Sequence, residues 1–247
     1  MKITLIGDDC LDEYQYGDVT RLSAEAPVPV FDYKYSIISP GMAANVNKNL
    51  VELGCQVTFY KRFASHKTRL LDQKTKHHIC RIDCDEISHP LLSSDIKFDD
   101  SDAIVISDYN KGTVSYELIE ELRSKFDGPI FVDTKKPDLS RMSGCFIKIN
   151  EHEWNISTSK CKNLIVTRGS DNVLFFGEEK EEEFPVLSVP VFDVCGAGDT
   201  FLAALAYSYV LNHDIDDAIK FAIKASSITV QHIGTYAPTL KEINDAT

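Results

Sequence analysis

No apolar run in this sequence reaches the roughly 18 residues that a membrane-spanning helix needs. The N-terminus opens on the strand-like MKITLIG without the pattern of a signal peptide. Basic clusters are equally scarce. The largest is KTKHH at 74–78, and against a formal net charge of −12 it leaves no electrostatic footprint for nucleic acid. The seven cysteines include no CxxC pair and lie mostly in apolar runs such as GCQVTFY and GCFIKI, which argues for reduced, buried thiols rather than disulfides or a zinc site. These absences predict a cytoplasmic protein with neither a membrane nor a nucleic-acid partner, and they make the NIS sequon at Asn155 incidental. A phosphate-bearing ligand would need local cations and backbone amides to overcome the negative field of the chain.

What is present is a rhythm. Short apolar, β-branched runs recur (KITLIG, VTFY, AIVISDY, PIFVDT, CFIKIN, NLIVTRG, NVLFF), and helical patterns stand between several of them over 43–54, 115–126, 200–212 and 215–233. Buried strands alternating with amphipathic helices predict an α/β fold with a doubly wound, mainly parallel sheet covered on both faces. Ligands in such sheets bind beyond the carboxyl ends of the strands. Residues 14–40 and 68–84 break the rhythm with polar–apolar alternation, Pro27 and Pro29 in the first and a hairpin pattern around QKTK in the second. They suit a small β flap, or lid, inserted in a single domain over 1–247. The acidic GEEKEEEF at 177–184 reads as a solvated turn between strands, and SVPVFD at 188–193 as a strand.

The stretch VFDVCGAGDTFLAAL (191–205) places Gly196, Ala197 and Gly198 between Asp193 and Asp199 where a helix begins. Glycines there let amide hydrogens converge, and the helix dipole adds to them, which makes an anion hole. Equally, the glycines could only turn the chain and Asp199 only complement the dipole. Strand-end or helix-capping roles are likewise open for Asp12 with its neighbours Asp8 and Asp9, for Asn45, and for Asn150 with Glu153. Cys195 has no histidine placed to activate it, His152 stands in no HExxH pattern, and no GxGxxG follows the first strand.

The segments DVCGAGDTF and SPGMAANVNKNLVELG resemble the signature and the glycine-rich motif of the ribokinase-like (PfkB) carbohydrate kinases. Within that family, GDVTRLSAEAPVPVFDY, CRIDCDE, VISDYNKG, VDTKKPDLSRMSG and IGTYAPTLKEI resemble, in the same order, the kinase domains of bacterial heptose 7-phosphate kinase/ADP-heptose synthases. The resemblance covers nearly the whole chain. It implies phosphoryl transfer from ATP with Mg²⁺ to a sugar phosphate, with Asp199 as catalytic base and the amides of Gly196, Ala197 and Gly198 holding the developing charge. It further implies sugar contacts from Asp12, Gly41 and Asn45, and a water-mediated Mg²⁺ site at Asn150 and Glu153. Thr167, Gly169 and Gly234 would border the nucleotide, Lys135 and Lys111 would meet phosphates of ATP or sugar, and Arg21 the sugar phosphate. Pairing of two copies through the lid strands also belongs to this picture.

Three features depart from that pattern. Met42 follows Gly41 where the family has a second glycine, which puts the identity of the sugar in question more than the reaction. Cys195 replaces a threonine among backbone donors. Peripheral segments are shortened to KRFASH after QVTFY and to NISTSKCK after the N-x-x-E motif, and no nucleotidyltransferase domain is contained in these residues.

Overall fold

Central strands buried on both faces and more exposed outer strands assemble a ten-stranded sheet in the computed structural model, which describes residues 1–246 apart from the side chain of Ala64. The strands are β1 (Lys2–Leu22), β2 (Pro29–Met42), β3 (Gln56–Asp72), β4 (His78–Asp85), β5 (Ala103–Asp108), β6 (Ile130–Thr134), β7 (Phe146–Asn150), β8 (Leu164–Arg168), β9 (Asp171–Phe176) and β10 (Glu181–Phe184). They lie in the order β10-β9-β8-β7-β6-β5-β1-β3-β4, with β2 paired to β1. The contacts β3–β1–β5–β6–β7–β8 are all parallel, whereas β2, β4, β9 and β10 are antiparallel additions.

Side-chain alternation along each strand supplies two cores at once. On β5, Ala103 and Val105 face the helices α1 (Ala43–Glu52), α4 (Ala197–Asn212) and α5 (Ile215–Thr229). Ile104 and Ile106 of the same strand face the opposite way, toward α2 (Tyr116–Lys125). The short helices α3 (Glu151–Ile156) and α6 (Leu240–Asp245) complete the described helices. Of these, α4 is apolar nearly all round, as its position between sheet and α5 requires.

β1 and β3 do not stop at the edge of the central sheet. β1 pairs with β5 only over Ile3–Gly7, then continues between β2 and β3 as far as Gly17 opposite Asp72. A register shift between Asp9 and Cys10, opposite Phe63 and Ser65, marks where sheet becomes flap. Residues 14–40 and 68–84 fall on these outer strands. Two expectations need correction. GEEKEEEF is only half a turn, since Glu181–Phe184 is an edge strand that buries Phe184 in the core. SVPVFD is not a strand: Pro190 has no N–H for a ladder, and Phe192 bonds instead to the Val230 carbonyl at the end of α5 (2.8 Å).

Phe131 of β6 is fully buried, stacked on Phe146 (5.2 Å between centroids) and met edge-on by Tyr209 of α4 (5.6 Å). Phe131→Ala is therefore expected to cost about 3–5 kcal/mol, read as a lowered midpoint in urea unfolding.

Candidate active site

The turn before α4 is built by one carboxylate. Asp193 accepts from the Cys195 amide (3.0 Å) and from the Gly234 amide (2.9 Å), tying the turn to the 230s loop. Gly196 then caps α4 at φ 79°, in the left-handed region. It has a second reason to be glycine, because a Cβ there would lie 2.6 Å from Asn45 Nδ2. At Gly198 a Cβ would lie 2.8 Å from Lys148 Nζ. The glycines thus admit α1 from one side and β7 from the other. Among the described residues the amides of Gly196, Gly198 and Asp199 have no backbone acceptor, and that of Ala197 has only a 3.3 Å bond to Val194. Unsatisfied amides at a helix start, with a lysine beside them, have the geometry and charge that suit an anion.

Asp199, in the first turn of α4, is 5% exposed. Asn45 Nδ2 donates to Oδ2 (2.9 Å), and the Tyr109 hydroxyl donates to Oδ1 (2.8 Å). Burial pushes its carboxyl up to about 6 and nearby Asp133 adds to the rise, while the Asn45 and Tyr109 hydrogen bonds and Lys148 hold it down. Lys148 bonds Asp133 Oδ2 (2.7 Å). Burial pulls the Lys148 ammonium down, but Asp133, Glu153 and Asp199 outweigh it and keep the group charged. Asn45 therefore does not cap α1, whose first position is preceded by Met42 with no side-chain cap.

A polar cavity of about 140 Å³ joins these groups, lined by Tyr109, Asp133, Lys135, Lys148, Asn150, Glu153, Gly196, Gly198 and Asp199. Asn150 and Glu153 form a capping box on α3: Asn150 Oδ1 accepts from the Glu153 amide (2.9 Å) and Glu153 Oε2 from the Asn150 amide (2.8 Å). The helix-capping role is thus fulfilled, and it leaves Glu153 Oε1 to accept from Lys135 Nζ (2.7 Å). No group of three or more His, Cys, Asp or Glu side chains converges to hold a metal directly among the described residues. The hard oxygens around a polar cavity fit a hydrated divalent cation held through water.

A larger groove of about 550 Å³ adjoins the cavity at Gly198. It is walled by Val173, Val186, Val194 and Val230, with Thr167 and Gly169 at its rim. Gly234 is not among its lining residues; its amide serves Asp193 instead. Across the site, Asp12 stands on β1 where the strand enters the flap, rather than at a strand end. Arg69 of β3 donates to its Oδ1 (2.5 Å), and Gly41 leaves room for its other oxygen, where a Cβ would intrude at 2.3 Å. Two expected residues are not brought to this cluster. Lys111 Nζ is bonded to Asp85 at the end of β4 (2.5 Å). Arg21 is exposed near the far end of β1, nine residues or roughly 30 Å of extended strand beyond Asp12. Met42 is buried at φ 51°, ψ −131°, a glycine-like conformation that costs a methionine about 1–3 kcal/mol.

Sequence reasoning missed Tyr109, Asp133, Lys148 and Arg69. The available signal was a charge inside an otherwise apolar strand: the lysine of FIKIN and the aspartate of IFVDT are costly to bury unless paired or used.

Asp199 carries a raised value relative to an unfolded aspartate (3.8), so its charge costs stability. That cost is absent below about pH 4 and complete above about pH 6. Asp199→Asn is expected to gain stability over wild type on going from pH 4 to pH 7 by on the order of 2 kcal/mol, measured by urea unfolding at both pH values.

The profile of the pfkB family carbohydrate kinases matches residues 98–242. The bifunctional protein HldE of Nitratiruptor sp. is 28% identical over 299 aligned residues, which take in 99% of this chain and 64% of the relative. The chain thus spans just under two-thirds of that relative's length. The aligned stretch also exceeds the 247 residues of this chain, so the relative has internal segments without counterpart here. Phosphofructokinase-2 of Escherichia coli, solved with potassium, superposes with a TM-score of 0.76 at 15% identity, covering 99% of this chain and 97% of that one. Ribokinase of Arabidopsis thaliana, complexed with ribose and ATP, does so with a TM-score of 0.71 at 14% identity over the same shares, 99% and 97%. The fold is ribokinase-like, and with the profile running through the whole α4 signature, the chain belongs to the pfkB family of carbohydrate kinases.

Proposed function

We propose that this kinase transfers the γ-phosphoryl group of ATP to the anomeric hydroxyl of a heptose 7-phosphate, with Asp199 as general base. The observation that carries the reading is a buried carboxylate with a raised pKa, standing beside unsatisfied amides and Lys148 in a polar cavity next to an apolar groove. The groove suits an adenine ring, and the amides of Gly196, Ala197 and Gly198 suit the charge spread over a transferring phosphoryl group. The sugar O–H gives its proton to Asp199 as the new O–P bond forms; the bond from γ-phosphorus to ADP breaks with its electron pair on ADP. Asp12 accepts from sugar hydroxyls, and Arg69 beside it is the cation nearest that position for the sugar's own phosphate. Mg²⁺, held through water by Asn150 and Glu153, supplies neutralisation of phosphate charge when bound. Closure of the flap excludes water. Exposed Tyr33, Ile37 and Ile38 on β2 support pairing of two copies through the flap.

The preference for heptose 7-phosphate rests on the collinear motifs and on similarity to HldE. A second reading, the same chemistry on another sugar or sugar phosphate, is favoured by Met42, which occupies a family glycine position immediately before the helix that supplies Asn45.

Asp199→Asn is expected to lower sugar-dependent ADP release by about 10³-fold or more while ATP binding, followed by calorimetry, persists; substantial turnover would remove Asp199 as the base. A screen of sugar phosphates for ADP formation should give its highest kcat/KM with heptose 7-phosphate, and a better substrate would move the assignment to that sugar. Met42→Gly should widen the range of accepted sugars in this screen without altering the KM for ATP, and an unchanged ranking would show that Met42 does not set specificity.

A further inference from the structure

Tyr109 is held more firmly than its place just after β5 requires. Asp8, fully buried, accepts three alternate amides of the turn that carries Tyr109: Tyr109 (2.8 Å) and Lys111 (3.1 Å) on Oδ2, and Thr113 (3.2 Å) on Oδ1. Asp108 accepts the Asn110 amide (2.9 Å), fixing Asn110 at φ 58°. The turn is also latched to the segment leaving the flap. Lys111 Nζ bonds Asp85 (2.5 Å), the Lys111 carbonyl accepts from the Ser88 amide (2.8 Å), and Gly112 lies so close to the Ser88 carbonyl that a Cβ would clash at 2.1 Å. Lys135 Nζ sits 4.9 Å from the centroid of the Tyr109 ring, which confines the ring on the cavity side. All of this aims one hydroxyl at Asp199 Oδ1.

We infer that Tyr109 is the positioning residue of the base: its hydroxyl, a donor to Asp199 in the ground state, stabilises the ionised carboxylate and fixes which lone pair meets the sugar hydroxyl. The inference rests on Asp199 being the base. Burial and the charges of Asp199 and Asp133 raise the phenol well above 10, so the proton stays on Tyr109 and the bond runs one way. The groups facing Asp199 are Asn45 from α1, Tyr109 from the turn after β5, Asp133 from β6, Lys148 from β7 and Cys195 before α4. Of these, Asn45 and Tyr109 are its two hydrogen-bond donors, one on each carboxylate oxygen. Removing one leaves a buried carboxylate half-solvated and harder to ionise.

The test is the pH dependence of kcat/KM, whose acid limb reports the base of the free enzyme. With the full chain and the best sugar substrate, Tyr109→Phe should move that limb up by about one pH unit. 3-Fluorotyrosine incorporated at position 109 keeps the shape and the fold but is a stronger donor, so it should move the limb down. An acid limb that stays in place in the fluorotyrosine protein, or in a folded Tyr109→Phe variant, overturns the inference while leaving Asp199 as base. An Asp199→Asn variant that retains turnover overturns both.

Discussion

A carboxylate taken out of water cannot be left without donors. Asp199 meets that condition because α1, the turn after β5, and β7 all converge on the first turn of α4. The parallel order β1–β5–β6–β7 sets their carboxyl ends side by side, and α4 closes over them. The two glycines of the α4 turn are the geometric condition for this convergence, since side chains there would push away Asn45 and Lys148. The active-site chemistry is therefore a consequence of close approach, and close approach is a consequence of side-chain absence.

Much of this was legible in the sequence. The βα rhythm predicted the sheet, and the Gly-Ala-Gly run between two aspartates located the helix start, because only glycine tolerates φ 79° with a neighbour at that range. The capping pattern of Asn150 and Glu153 was legible and is fulfilled on α3, and the same two residues line the polar cavity. What could not be read were partnerships made by tertiary contact. Tyr109 and Asp199 are 90 residues apart, and nothing local to ISDYN says that its tyrosine meets a carboxylate. Lys111 looked like a phosphate ligand because lysines at strand ends often are, but Asp85 takes it. The extent of β1 was hidden for a different reason. Its inner part is buried almost throughout and its outer half alternates polar with apolar residues, so one strand of 21 residues reads as two elements.

The buried polar residues behind the site form a second framework. Asn49 donates to the Asn45 carbonyl (2.8 Å) and accepts from Thr200 (2.9 Å), and Thr229 donates to Thr200 (3.1 Å) and approaches the Tyr236 carbonyl (3.2 Å). Satisfied networks of this kind specify one arrangement of helices where an apolar interface would allow sliding. Here they fix α1, α4 and α5 in register around Asp199, and extend to the loop that Asp193 holds.

The register shift at Asp9–Cys10 interrupts the ladder, and a bend concentrated there would make it the fulcrum of the outer strand. Asp12 lies two residues beyond it, an arm of about 7 Å, whereas the end of β1 at Leu22 lies twelve residues beyond, an arm of about 40 Å. A swing of about 10° at the fulcrum would carry the tip through roughly 7 Å and Asp12 through little more than 1 Å. Of the outer strand, Asp12 is thus among the parts that a bend at this point would displace least.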